Sequence, residues 1–326
     1  TLNTTPESYE LHQAFAQMVE AGCEYAVMEV SSQGIKMHRT DGLYFNYAIF
    51  TNISPDHIGP GEHADFEEYL YYKTRLLNMC GIGLVNKDDK HAPQIIKAAN
   101  CELYTYSEES KEADFVASDI RYVSQPDFVG TEFHISGKYD MEVRLGIPGL
   151  FNVVNALAAV SVCSFLGLDQ ARISHALENI RVNGRMEIVY TSERCTVLVD
   201  YAHNAVSMES LLSTLRDYKP KRLVCVFGCG GNRSKDRRYS MGEIGGKMAD
   251  LSIITADNSR YEKVEDIIAD IRGSIEKTGG KFIEIPDRRE AIRYSILHAQ
   301  PGDMVAVIGK GGDDIAKFIA AAVHCL

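Results

Sequence analysis

The sequence predicts an α/β protein in two parts: a mostly parallel sheet with a small antiparallel patch, then a second α/β unit of Rossmann-like order. Three observations carry this. Short continuous apolar runs alternate with longer amphipathic stretches, as parallel strands and their crossover helices do. The chain has 326 residues, enough for two cores. Between Asp114 and Leu145 the pattern shifts to short alternating stretches with Gly and Pro, the mark of antiparallel strands.

Thr5-Pro6 reads as an N-cap with proline at the first helical position, and Leu11, Phe15, Met18 and Val19 as the buried stripe of the helix that follows, ended by Gly22. Tyr25 to Val30, Tyr47 to Ile53 and Gly83 to Asn86 are expected as buried strands. Phe66 to Leu77 is an amphipathic helix, and 152–166 and 171–180 are further helices. A boundary falls at Arg181-Val182-Asn183-Gly184-Arg185, dividing 1–181 from 182–326. Beyond it, strands are expected over 196–200, 222–228, 251–255, 281–285 and 304–309.

Composition excludes several classes. Hydrophobic residues make up 45%, no apolar run approaches the ~20 residues of a membrane span, and no signal peptide is visible. The net charge of −11 argues against general nucleic-acid binding. The eight cysteines form no C-x-x-C cluster, so they are expected as free thiols in a reducing cytoplasm.

Lys73 is the most informative residue. Phe66, Tyr69, Leu70, Leu76 and Leu77 stand three, four or seven positions from it, so the lysine shares their apolar face. Either its amine snorkels to water, or it stays neutral and reactive. A neutral amine adds CO2 to give a carbamate, a carboxylate able to help hold a metal. The helix pattern alone favours snorkelling. Glu29-Val30-Ser31-Ser32 and Thr51 to His57 end two of the expected strands, and Glu29, His57 and a carbamylated Lys73 form a candidate Mg2+ set. Taken singly, Glu29 reads as a capping carboxylate and His57 as a loop histidine.

In the second part, four polar loops follow four strands: Asp200-Tyr201-Ala202-His203, Gly228 to Arg233, Asp257-Asn258-Ser259-Arg260 and Gly309 to Asp313. Ligands of open α/β sheets bind beyond such carboxyl ends, and the four loops should share one edge. A glycine-rich loop exposes N–H groups to an anion, and Arg233 adds a bidentate donor, although a tight turn is the commoner meaning of such a loop.

With these motifs in order, the chain resembles the Mur ligases of peptidoglycan synthesis, and among them the UDP-N-acetylmuramoyl-tripeptide synthetases, the branch that adds the third residue of the stem peptide. The resemblance rests on Asn3-Thr4-Thr5-Pro6, Glu29 to Ser32, Thr51 to Ser54 with Asp56-His57, Lys73, Phe151-Asn152 with Asn155-Ala156, Gly184 to Glu187, Asp200 to His203, Gly228 to Arg233, Asp257 to Arg260 and Gly309-Lys310-Gly311. It covers almost the whole chain, and the set is far more specific than any member.

The resemblance implies a P-loop-type ATPase central domain followed by a Rossmann-like C-terminal domain. It implies ATP-driven amide formation through an acyl phosphate, with Mg2+ and two closing domains. Glu29, His57 and carbamylated Lys73 would hold Mg2+. Asn3, Thr4, Thr5, Ser31 and Arg39 would contact the UDP-muramoyl-dipeptide. Asn152, Asn155, Arg185, Asp200 and His203 would lie near the nucleotide. Arg233, Asp257, Asn258, Ser259, Arg260, Gly309 and Asp313 would bind the incoming amino acid, with Arg260 pointing to meso-diaminopimelate rather than lysine. A bacterial cytoplasmic monomer is implied, with no nucleic-acid or membrane partner.

Three departures stand out. Ser259 replaces a proline; Gly312 and Asp313 replace a His-Glu pair; and Gly59 to His63 departs from the family's Asp-x-His-Gly stretch. The family's phosphate loop, G-x-x-x-x-G-K-[ST], is not found: Gly245-Gly246-Lys247 is followed by Met248. The chain is therefore expected to begin inside the central domain and not to turn over ATP alone. The alternatives are a divergent paralogue with another amino-acid substrate, such as a folylpolyglutamate or cyanophycin-type ligase, or a non-catalytic amino-acid-binding module.

Overall fold

The computed structural model describes residues 3–309 and, beyond them, Ile315, Phe318 and Ile319. Contacts divide the chain into two compact units: Thr1–Ser118 with Ile135–Met141 and Val154–Leu168, and Asp119–His134 with Glu142–Val153 and Asp169–Leu326.

The first part of the chain runs α1 (Ser8–Glu20), α2 (Ser32–Lys36), β1 (Phe45–Phe50), α3 (Phe66–Thr74), β2 (Cys80–Asn86), α4 (Ala92–Ala98), β3 (Glu102–Ser107), β4 (Phe115–Gln125), β5 (Phe128–Gly137), β6 (Met141–Leu145), α5 (Leu150–Phe165) and α6 (Gln170–Asn179). The sheet order is β1-β2-β3-β4-β5-β6. β1, β2, β3 and the start of β4 are parallel neighbours. Only Pro126-Asp127 separates β4 from β5, a connection that antiparallel strands alone allow. The antiparallel patch is thus where the sequence placed it. Ala48, Phe50, Tyr69, Leu70, Leu77, Val85 and Ile95 form the core on which α3 and α4 pack. Asp65 caps α3 by accepting the Glu68 amide at 2.8 Å, and a 3₁₀ turn over Arg75–Asn78 ends the helical stretch.

Three expectations fail here. Tyr25 to Val30 forms no strand; Val27 is 98% exposed. Apolar content makes a run strand-like, but a strand needs a neighbour's N–H and C=O groups, and the sheet begins at β1, which pairs with β2. Thr5 is not the cap of α1. Glu7 holds that position without a side-chain bond, while Thr5 is fully buried with its hydroxyl committed elsewhere. Only Leu11 of the expected α1 stripe is buried; Met18 and Val19 are exposed. Patterning fixes which face is apolar, not whether another element covers it.

The rest of the chain forms β7 (Glu187–Thr191), β8 (Cys195–Asp200), α7 (Ala205–Asp217), β9 (Arg222–Phe227), α8 (Asp236–Met248), β10 (Leu251–Ile254), α9 (Val264–Thr278), β11 (Phe282–Glu284), α10 (Arg288–Leu297) and β12 (Asp303–Ile308). The sheet order is β11-β10-β9-β12-β8-β7, with β7 antiparallel to β8 and the other pairs parallel. Alternate residues of β9 and β12 face opposite layers. Leu223, Cys225, Phe227, Met304 and Ala306 meet α7, α8 and α9, while Val224, Val226, Val305 and Val307 meet α10. Burial on both faces is why these strands read as continuous apolar runs.

Gly245-Gly246-Lys247 lies inside α8 and is no phosphate loop. A Cβ at Gly246 would stand 2.1 Å from Thr278 Oγ1, and one at Gly280 would stand 2.5 Å from the Gly246 backbone. These glycines let α8 and α9 approach closely.

Candidate functional site

In the first unit two of the predicted residues, His57 and Lys73, lie beside Tyr69. The His57 ring lies 5.9 Å from the Tyr69 ring, and Lys73 Nζ sits 5.3 Å from its centroid. Burial pulls the Lys73 amine below its ordinary basicity, and Asp56 works against that pull. The lysine is thus neither free in water nor sealed, and its stem packs on an aromatic face. His57 takes a left-handed backbone (φ 53°), with Nδ1 3.3 Å from Glu62 and Nε2 3.7 Å from Asp56. The Glu29 side chain is exposed, while its carbonyl accepts the Thr5 hydroxyl at 3.1 Å.

Thr5 Oγ1 also accepts the Ser31 amide at 2.8 Å, and Ser31 Oγ in turn caps α2 by accepting the Gly34 amide. Arg39 donates to the Thr5 carbonyl and pairs with Glu7 at 2.8 Å. Asn3 donates to Glu7 at 3.2 Å, and Thr4 is exposed. Asn3, Thr5, Ser31 and Arg39 are therefore one connected cluster.

Sequence reasoning missed His63. It is fully buried, with Nε2 2.9 Å from Ser32 Oγ and its ring 5.3 Å from that of Tyr69. Its amide donates to the His57 carbonyl, so the buried imidazole anchors the turn that presents His57. Burial, then Lys36, keep it below the ordinary histidine value of 6.5. The signal was a histidine ending an irregular Gly-Pro-Gly loop, where a packed side chain must fix what the backbone does not.

In the second unit β8, β9, β10 and β12 are mutually parallel, so the loops after them share one edge, as expected. Asp200, nearly buried, accepts the Met186 and Ala202 amides through its two carboxylate oxygens at 2.9 and 2.7 Å. Gly309, left-handed at φ 98°, donates its amide to the Asp200 carbonyl. Arg185 is exposed and lies 5.6 Å over the Tyr201 ring; His203 Nδ1 meets the Tyr201 carbonyl at 3.0 Å. Along α5, Asn152 donates to the Pro148 carbonyl at 2.7 Å, and Asn155 lies three positions on, along the same face.

The Gly228 and Asp257 loops lie directly against each other. A Cβ at Gly228 would stand 2.1 Å from the Thr255 carbonyl oxygen, and one at Gly231 would stand 1.9 Å from that of Ser259, so only glycine fits either place. Gly231 donates its amide to the Asn258 carbonyl at 2.8 Å. Arg233 and Arg260 are exposed, and among the described residues neither has an ion-pair partner. Asp257 lies near Arg288, whose guanidinium donates to the carbonyls of Ala256, past the end of β10, and of Ile308, at the end of β12. Asp313 lies outside the described residues. Arg238 and Arg288 were not singled out from sequence, because an arginine in a basic run reads as surface.

The Mur ligase middle-domain model matches residues 1–163 and the Mur ligase glutamate-ligase-domain model matches residues 184–311. The chain belongs to the Mur ligase family.

Among its relatives, the UDP-N-acetylmuramoyl-L-alanyl-D-glutamate--2,6-diaminopimelate ligase of Caldanaerobacter subterraneus subsp. tengcongensis is 39% identical, over 98% of this chain and 66% of its own length. The enzyme of the same name from Trichormus variabilis is 40% identical, over 99% of this chain and 65% of its own. The chain therefore spans just under two thirds of these relatives. A solved structure of a ligase of that name superposes with a TM-score of 0.79 at 31% identity, covering 99% of this chain and 69% of the other. Folylpolyglutamate synthase from Thermotoga maritima shares the fold alone, with a TM-score of 0.64 at 18% identity, covering 97% of this chain and 68% of that one.

Proposed function

We propose that this chain is the ATPase-and-acceptor part of an ATP-dependent amide ligase that adds meso-diaminopimelate to UDP-N-acetylmuramoyl-L-alanyl-D-glutamate in the bacterial cytoplasm. The observation that carries the reading is the Asp257 to Arg260 loop locked against the glycine-rich loop at one sheet edge, in a chain whose relatives of that name match it along nearly its whole length. The two domains are proposed to meet at residues 181 and 182, a division supported by the separate family matches on either side.

The γ-phosphoryl of ATP passes to the terminal carboxylate of the dipeptide, giving an acyl phosphate and ADP. The diamino acid's amine attacks that carbonyl, and phosphate leaves as the amide forms. Charge on the phosphoryl oxygens calls for cations. Mg2+ suits a donor set of oxygens and one imidazole, so Glu29, His57 and carbamylated Lys73 would hold it. Among the described residues no three His, Cys, Asp or Glu side chains gather as a metal site. The lowered basicity of Lys73 fits that modification.

Asn3, Thr4, Ser31 and Arg39 serve the UDP-muramoyl-dipeptide, with Thr5 fixing Ser31 from beneath. Asn152, Asn155, Arg185, Asp200 and His203 serve the nucleotide. Arg233, Asp257, Asn258, Ser259, Arg260 and Gly309 serve the amino acid, and Arg260 pairs with the carboxylate that lysine lacks. Calorimetric titration of the chain with meso-diaminopimelate, L-lysine and L-glutamate tests this. Binding selective for diaminopimelate and lost in Arg260→Ala is expected, while selective glutamate binding favours a divergent paralogue.

A further inference from the structure

We infer that Arg238 and Glu262 are positioning residues that set the spacing of Arg233 and Arg260, and so select an amino acid with two carboxylates over one with a single carboxylate. This rests on the amino-acid site proposed above.

Arg238 sits in the basic run Arg233 to Arg238, yet its side chain is only 1% exposed. Its Nη2 donates to both oxygens of Glu262 at 2.8 Å each, and its Nη1 donates to Asp270 at 2.9 Å. Burial opposes the charge, and the two carboxylates more than offset that opposition. Lys235 also reaches Asp270, at 3.1 Å. The Arg238 Nε is buried without a hydrogen-bond partner. Buried ion pairs contribute little net stability compared with apolar packing, and an unmet donor reduces it further. The cluster is better explained by the geometry it imposes.

That geometry falls on the two loops. Glu262 Oε1 also accepts the Asn232 amide, while Asn232 Oδ1 accepts the Tyr261 amide at 3.2 Å. Asn232 directly precedes Arg233, and Tyr261 directly follows Arg260. Asn232 and Arg260 both hold left-handed backbones at φ 51°. Each exposed arginine is thus one residue from a point pinned, directly or through Asn232, to the Arg238–Glu262 pair. A ligand with two carboxylates is sensitive to the separation of two guanidinium groups. One with a single carboxylate is not.

The test is calorimetric titration of the chain with meso-diaminopimelate and L-lysine, comparing the wild type with Glu262→Gln, Arg238→Met and Arg238→Lys. Asp303→Asn serves as control, because it breaks the Arg222–Asp303 pair at the opposite end of the same sheet. Glu262→Gln and Arg238→Met should weaken diaminopimelate binding about tenfold or more while lysine binding changes less than about threefold, the scale of one misplaced bidentate contact. Arg238→Lys should recover part of the loss, and Asp303→Asn should lower the melting temperature with the affinity ratio intact. Parallel loss for both ligands, or the same ratio change in Asp303→Asn, overturns the inference. If Arg238→Met does not fold, the near-isosteric Glu262→Gln decides. A wild-type chain that binds neither ligand defeats the site reading along with the inference; selective wild-type binding with an unmoved ratio defeats the inference alone.

Discussion

At Lys73 the amine is held where two demands meet. Burial beside Tyr69 lowers its basicity, and the charge of Asp56 works the other way. A carbamate at this position should appear as a new carbonyl resonance after equilibration with 13C-bicarbonate, absent in Lys73→Arg. Elsewhere in the first unit, Glu108 is pushed up to about 7 by burial, then by Asp88 and Glu109. Its folded form therefore binds a proton more tightly than the unfolded chain does, and stability declines as pH rises from 4.5 to about 7. Glu108→Gln should remove that slope and raise the melting temperature above pH 7. Residue identity alone concealed both this and the role of Thr5. A threonine before proline reads as a cap, and only the packed structure shows its hydroxyl shared between Glu29 and Ser31.

Among the elements, the pairing of α8 with α9 shows most directly how sequence sets spacing. Gly246 faces Thr278 and Gly280 with no room for a side chain, whereas Gly273 of α9 faces open space. Gly246→Val should cost about 1–3 kcal/mol by overpacking. Gly273→Ala should stabilise by about 0.4–1 kcal/mol, because helix propensity improves and nothing is displaced. Urea denaturation of the two variants checks the contrast. The strands β8, β9, β10 and β12 were legible because burial on both faces leaves unbroken Val, Leu and Ile runs. Tyr25 to Val30 carries the same signal without a partner, and composition cannot distinguish the two cases. The loops were legible as polar strand ends. Their mutual locking was not, since it lies in the backbone contacts of Gly228 and Gly231 with the Asp257 loop, which a sequence does not display.

For the molecule as a whole, the polypeptide contains no G-x-x-x-x-G-K-[ST] stretch. Incubation of these 326 residues with ATP, Mg2+, the UDP-muramoyl-dipeptide and diaminopimelate should give no phosphate release above background. Robust release would contradict that expectation. Amino-acid binding should nonetheless survive, because the residues proposed for it lie in the unit that holds β8 to β12. The contact of Gly231 with Ser259 has a consequence for that binding. Two loops that already touch have little freedom left to surrender when an amino acid arrives, so association should carry a small ordering entropy and leave backbone amide exchange around Asn258 almost unchanged. The same tightness makes the site brittle: a single added methyl at position 231 should cost ligand affinity without removing any group that touches the ligand.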